Sequence, residues 1–127
     1  MPIAYWCILI AGIMPAATVA VAKWGARDFD NAAPRRWLEK QDGLRQRADA
    51  AHRNHFEAFP FFAAGVLIAE QLTALQTTID MLAMAFIGLR IIYTLLYLAN
   101  KPTFRSISWL LSYLIVIGLF FAAAFCH

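Results

Sequence analysis

This sequence is short of charge. Of its 127 residues only 15% are Asp, Glu, Lys or Arg, against 61% hydrophobic, and the mean hydropathy is +0.58. A soluble domain spends about a quarter of its residues on charge, so that class is excluded and lipid must cover much of this surface. Cysteine numbers only two, and Cys7 and Cys126 cannot build a disulfide scaffold. Both fall toward the outer ends of apolar runs, where a bridge is geometrically conceivable, but thiols in such helices usually serve as small hydrophobes. No set of side chains has metal-ligand spacing: His52 and His55 stand at i and i+3 without a third ligand, so solvated or hydrogen-bonded imidazoles are expected. There is no internal repeat, Gly/Ser linker or disordered tail, which leaves one small domain over residues 1–127. Nor does Met1–Ile10 hold the cations of a signal-peptide n-region, although Ala20-Val21-Ala22 resembles a cleavage site; the first apolar run is expected to remain as a span.

What is present is a series of apolar runs: Pro2–Ala22, Ala58–Ala69, Met81–Leu89 continued by Ile91–Ala99, and Ile107–Cys126. About 20 residues cross a hydrocarbon core, so the first and last span unaided. The third spans only if Arg90 is accepted within the membrane. The second is short, so its helix must extend through Arg53–Glu57 at one end and into Gln71–Ile79 at the other. The expected fold is an all-α bundle of four transmembrane helices over residues 2–22, 54–76, 80–99 and 106–126, with a loop over 23–53.

The cations decide orientation. Lys23, Arg27, Arg35, Arg36, Lys40, Arg45, Arg47 and Arg53 lie between the first two runs and Lys101 and Arg105 between the last two, while Glu70–Asp80 has none. The positive-inside rule places the two basic loops in the cytoplasm and both termini outside, as in a bacterial inner membrane. Attraction to anionic headgroups accounts for most of the net charge of +3. Nucleic acid is not implied, because Asp28, Asp30, Glu39, Asp42 and Asp49 share the first loop. Within it, Asp30-Asn31-Ala32-Ala33-Pro34 reads as a turn, Arg35–Lys40 as a short surface helix, and Leu44 as the start of a helical pattern with no breaker before Pro60.

Polar groups that enter the spans carry the chemistry. Arg53 and Glu57 are i, i+4, with Asn54 one step round. Pro60 frees the Phe56 carbonyl and opens space beside Glu57; an interfacial helix end with a snorkelling Arg53 is the plainer reading. Arg90 sits midway in its span, where an arginine costs at least about 2.5 kcal/mol and requires a partner. Tyr93 and Tyr97 fall on the same stripe at i+3 and i+7, and the structural alternative is an ion pair of Arg90 with Glu57 or Glu70. Arg105 and Ser106 follow the Lys101-Pro102 turn at a helix N-terminus, a place that favours anions and lowers the pKa of a thiol. Alternatively, Arg105 is simply a positive-inside arginine at the membrane boundary.

The stretch from Arg47 through His52-Arg53-Asn54-His55-Phe56-Glu57 to Phe59-Pro60-Phe61 resembles the signature of the MAPEG family, the membrane-associated proteins in eicosanoid and glutathione metabolism. The run from Arg90 through Tyr93 and Tyr97 to Arg105-Ser106 is similar to that family's third-helix and fourth-helix elements, in the same order. The resemblance implies a homotrimer binding glutathione in cytoplasm-facing sites between subunits. It implies that Arg53, Asn54, Glu57, Arg90, Tyr93 and Tyr97 hold glutathione and that Arg105, with Ser106, stabilises its thiolate, while Lys23 or Arg27 of a neighbour joins the site. It further implies a glutathione transferase or peroxidase acting on lipophilic electrophiles or lipid hydroperoxides drawn from the membrane. A binding or transport protein of the same fold, without turnover, is the alternative.

Overall fold

A computed structural model describes all residues 1–127 and contains five helices: α1 (Ile3–Lys23), α2 (Pro34–Glu39), α3 (Gly43–Gln71), α4 (Gln76–Leu98) and α5 (Pro102–Phe125). The chain is 81% helical and has no strand. α1, α4 and α5 are long and apolar enough to cross a membrane. α3 is the longest helix but lacks that composition, because its first half carries Arg45, Arg47, Asp49, His52, Arg53 and Glu57.

The four long helices form an antiparallel bundle around a core of small and aromatic side chains. α1 contributes a stripe of Ala4, Cys7 and Ala11, continued by Pro15, Thr18 and Ala22, whose small size lets α3 approach closely. Phe62 of α3 stacks on Phe86 of α4 with ring centres 3.9 Å apart, and Val116, Leu119 and Ala123 of α5 complete the core. Cys7 is buried there, and both cysteines are free thiols.

The helix ends explain where the chain turns. α3 stops at Gln71, short of the expected 76 and well short of Ile79. A Schellman motif closes it: the Ala74 N–H donates to the Ala69 carbonyl at 3.0 Å and the Thr73 N–H to the Glu70 carbonyl at 3.1 Å. Thr73 occupies the left-handed position of that motif with φ 58°, where a β-branched residue is strained. Asn100 fills the same position after α4 with φ 59°, at less cost because asparagine tolerates this region. Thr73→Gly is therefore expected to stabilise the protein by about 1 kcal/mol. The check is the unfolding midpoint in mixed micelles; an unchanged midpoint would mean that the Thr73 hydroxyl, which donates to the Leu72 carbonyl at 2.7 Å, already offsets the strain.

Other ends are tied by residues distant in sequence. α1 has no side-chain cap of its own, and its Ala4 N–H donates instead to Oδ1 of Asp80 on α4 at 3.0 Å. Asp80→Ala should cost about 1–2 kcal/mol, the usual worth of an N-cap, measured as a lowered unfolding midpoint. At the opposite end Arg45 donates to the Ala22 carbonyl that ends α1 at 3.1 Å, and Arg47 to the Leu98 carbonyl that ends α4 at 3.3 Å. Both arginines thus sit on the negative ends of helix dipoles, a role the headgroup reading of the loop charges did not include.

The turn at Asp30 forms as expected, with its Oδ1 accepting from the Ala32 N–H at 3.0 Å. α2 begins at Pro34 rather than Arg35 and lies on the surface as expected, with Arg35, Arg36 and Glu39 exposed and one side docked. Trp37 and Leu38 are buried against Ala22 and Ala48, because an indole and an isobutyl group on one turn supply the apolar face that docks it.

Candidate functional site

Arg90 occupies the middle of α4 and is 1% exposed. Its Nη2 donates to Asn54 Oδ1 at 2.7 Å and to His55 Nδ1 at 2.9 Å. The alternative of an ion pair with Glu57 or Glu70 does not form: Arg90 bridges to no carboxylate, and Glu70 accepts from Gln76 at the far end of the bundle. Asn54 and His55 reach Arg90 first because α3 presents them side by side toward α4, leaving Glu57 on the exposed rim.

From Arg90 a row of two phenols, flanked by a cation at each end, runs to the helix end. The Arg90 guanidinium carbon lies 4.3 Å from the Tyr93 ring centre, Tyr93 meets Tyr97 edge-on at 5.6 Å, and the Arg105 guanidinium carbon lies 4.3 Å from the Tyr97 ring centre. The i, i+3, i+7 stripe seen in the sequence is thus one physical row. α5 adds Arg105 because Pro102 starts that helix right after the turn at Asn100, bringing its first turn beside the end of α4.

Two adjoining cavities flank this row. One, of about 150 Å³, is lined by Asn54, Glu57, Ala58 and Phe61 of α3, Phe86 and Arg90 of α4, and Trp109, Ser112, Tyr113 and Val116 of α5. The other, of about 250 Å³, is lined by Asn54, Tyr93, Tyr97, Arg105, Ser106 and Trp109. Asn54 and Trp109 border both. Seven of the eight residues singled out in the sequence therefore meet here, Arg53 being the exception. Arg53 turns to another face, where it bridges Asp49 at 3.1 Å and Glu39 at 3.9 Å, so its i, i+4 partner is the residue one turn back and not Glu57. Lys23, 4.8 Å above the Phe29 ring, and the exposed Arg27 line neither cavity.

The MAPEG family model matches residues 3–125, nearly the whole chain. The chain belongs to the MAPEG family. No curated protein and no solved structure matches it. Family membership and three apolar helices together make it an integral, multi-pass membrane protein of the glutathione and eicosanoid metabolism family, which includes transferases, peroxidases and members without enzymatic activity.

In this MAPEG protein three further residues belong to the site. His55 and Thr94 hold Arg90: the Thr94 hydroxyl donates to the Arg90 carbonyl at 2.8 Å and lies 2.8 Å from His55 Nε2. Thr94 was findable, since it stands at i+4 from Arg90 on the same helix face. Trp109 was findable likewise, at i+4 from Arg105, and stacks on Tyr113 with centres 5.4 Å apart. His55 had no such signal, because an imidazole beside a membrane helix end gives no hint of which neighbour it meets.

Proposed function

We propose that this MAPEG protein is a glutathione-dependent membrane enzyme, a transferase or peroxidase acting on lipophilic electrophiles or lipid hydroperoxides. The observation that carries the reading is the pair of adjoining cavities where α3, α4 and α5 meet. They gather two arginines, one carboxylate, an amide, three phenols and two hydroxyls in an otherwise apolar bundle. Glutathione asks for such a set: two carboxylates need cations, one ammonium needs an anion, and one thiol needs stabilisation as thiolate. Glu57 then faces the ammonium, Arg90 and Asn54 hold the γ-glutamyl end, and Tyr93 and Tyr97 line the path to Arg105 and Ser106 at the sulfur. Phe61, Trp109 and Tyr113, each partly exposed, offer the apolar wall for a substrate arriving from lipid.

Chemistry follows from the thiolate. Arg105 stabilises the anion left when the thiol proton passes to water. In conjugation the sulfur forms a bond to the electrophilic carbon and the leaving group departs with its electron pair. In peroxide reduction the sulfur attacks one peroxide oxygen, the O–O bond breaks, and the alkoxide takes a proton to become an alcohol. The resulting glutathione sulfenic acid condenses with a second glutathione to give the disulfide and water.

In this reading α3 is a fourth span, since it runs antiparallel to α1, and the assembly is a homotrimer. Arg53, and Lys23 or Arg27, then serve a neighbouring subunit's site, which gives a role to two cations that lie outside both cavities of their own chain. The basic ends of the helices face the cytoplasm. Reporter fusions after Lys40 and Lys101 should be cytoplasmic and those near Gln76 and after His127 exported; a cytoplasmic C-terminus would refute the four-span arrangement.

The decisive assay uses purified protein in detergent, tested for glutathione binding, conjugation and hydroperoxide reduction across a substrate panel. Turnover is expected. Binding without turnover would favour a binding or transport role for the same fold, and absence of both would sink the glutathione assignment.

A further inference from the structure

Arg90 is a buried cation whose partners are all neutral. Its Nη2 spends both hydrogens on Asn54 and His55, while its Nη1 is buried with no hydrogen-bond partner. Neither feature is stable in isolation. A buried guanidinium without a counter-anion is costly, and so is an unpaired buried donor. Arg90 also borders the cavity of about 150 Å³, so an anion entering that cavity meets an unneutralised charge and an unspent pair of N–H groups.

The partner at Nη2 explains why the charge stays available. The Thr94 hydroxyl has one hydrogen and gives it to the Arg90 carbonyl, which can only accept. His55 Nε2, 2.8 Å away, must therefore donate to Thr94, and His55 Nδ1 must accept from Arg90. One neutral tautomer of His55 satisfies all three bonds, and they close a ring through Arg90 itself. An aspartate at position 55 would place a carboxylate oxygen close to where Nδ1 now sits and would neutralise the guanidinium outright.

We propose that His55 is a positioning residue: it orients Arg90 through a neutral acceptor, leaving the guanidinium's charge and its second nitrogen for a carboxylate that enters the cavity. Thr94 fixes the tautomer that makes this possible. Glu57 lines the rim of the same cavity without pairing to Arg90, so the place prepared is one for a carboxylate with room for an ammonium beside it. The inference rests on the glutathione reading only for the source of the carboxylate, which is either glutathione or the head of an acidic lipophilic substrate.

The test compares wild type with His55→Asp and His55→Asn. Asparagine keeps a neutral oxygen near Nδ1; aspartate adds the charge. Expected for His55→Asp is an unfolding midpoint equal to or above wild type together with at least a tenfold loss of glutathione affinity, while His55→Asn binds within about threefold of wild type. A merely structural histidine would give the opposite pairing, with affinity following stability. Titrating a long-chain fatty acid and its methyl ester into the same proteins separates the sources: loss of the acid alone in His55→Asp, with glutathione unaffected, puts the lipophilic substrate's carboxylate at Arg90. If His55→Asp binds both ligands as wild type does, or if Asn and Asp lose affinity equally, the proposal is overturned. Should neither variant assemble, ¹⁵N spectra of histidine-labelled wild type still decide. They should show His55 as the neutral Nε2–H tautomer with an Nδ1 resonance that moves when glutathione is added; an imidazolium or the other tautomer would overturn the proposal. Wild type that binds no glutathione at all would be a failure of the functional reading, distinguishable from each of these.

Discussion

Arg105→Ala should lower kcat for conjugation by about 10²–10³-fold, the usual cost of removing one donor to a developing or stabilised anion, while glutathione affinity changes little. On the proposed reading the split follows from position: Arg105, over Tyr97, would meet the sulfur, whereas Asn54, Glu57 and Arg90 at the other end of the row would hold the rest of the tripeptide. The apparent pKa of bound glutathione should rise toward that of a free thiol in the variant. Lysine should rescue only in part, since an ammonium brings the charge without the planar fork that stacks on the Tyr97 ring. A thiolate absorbance titration at saturating glutathione is the measurement. Coincident midpoints for wild type and Arg105→Ala would make Arg105 a membrane-boundary arginine and pass the activating role to Tyr93 or Tyr97.

Glu57→Gln should weaken glutathione binding by roughly 2 kcal/mol, about 30-fold, and leave folding intact. Leaving a charged partner without its counter-ion costs about 2–5 kcal/mol, and the low end applies because Glu57 is exposed at the cavity rim, where solvent and salt screen it. Folding should be spared since Glu57 makes no ion pair within the chain. Calorimetric titration beside an unfolding curve reads both quantities. An unchanged affinity in a normally folded variant would return Glu57 to a surface role.

The sequence made the row of site residues legible because one helix's periodicity fixes which of its side chains share a face. Arg90, Tyr93 and Tyr97 needed nothing more; Asn54 and Glu57 stood out as polar groups entering the second span and Arg105 and Ser106 by their helix N-terminus, and the MAPEG resemblance tied them to one site. Partners across helices were not legible. Arg90 requires a partner, and the structural alternative pairs it with Glu57 or Glu70, yet its neighbours on α3 are an amide and an imidazole. Arg53 shows the converse: spacing allowed Glu57 and Asp49 equally, and the choice of Asp49 went with the docking of α2, which brings Glu39 to the same side. That docking depends on Trp37 and Leu38 finding Ala22 and Ala48, contacts that no local pattern encodes. The end of α3 was misplaced because no glycine marks it; a threonine holds the left-handed position instead.

The two arginines that close the ends of α1 and α4 separate two jobs that are normally counted together. Of the eight cations between the first two apolar runs, Arg45 and Arg47 are committed to backbone carbonyls, so sidedness can rest on the remaining six. Replacing either arginine with lysine preserves every formal charge seen by the membrane during insertion but surrenders the long fork that reaches a neighbouring helix. Such a chain should enter the bilayer facing the correct way and then hold together less well.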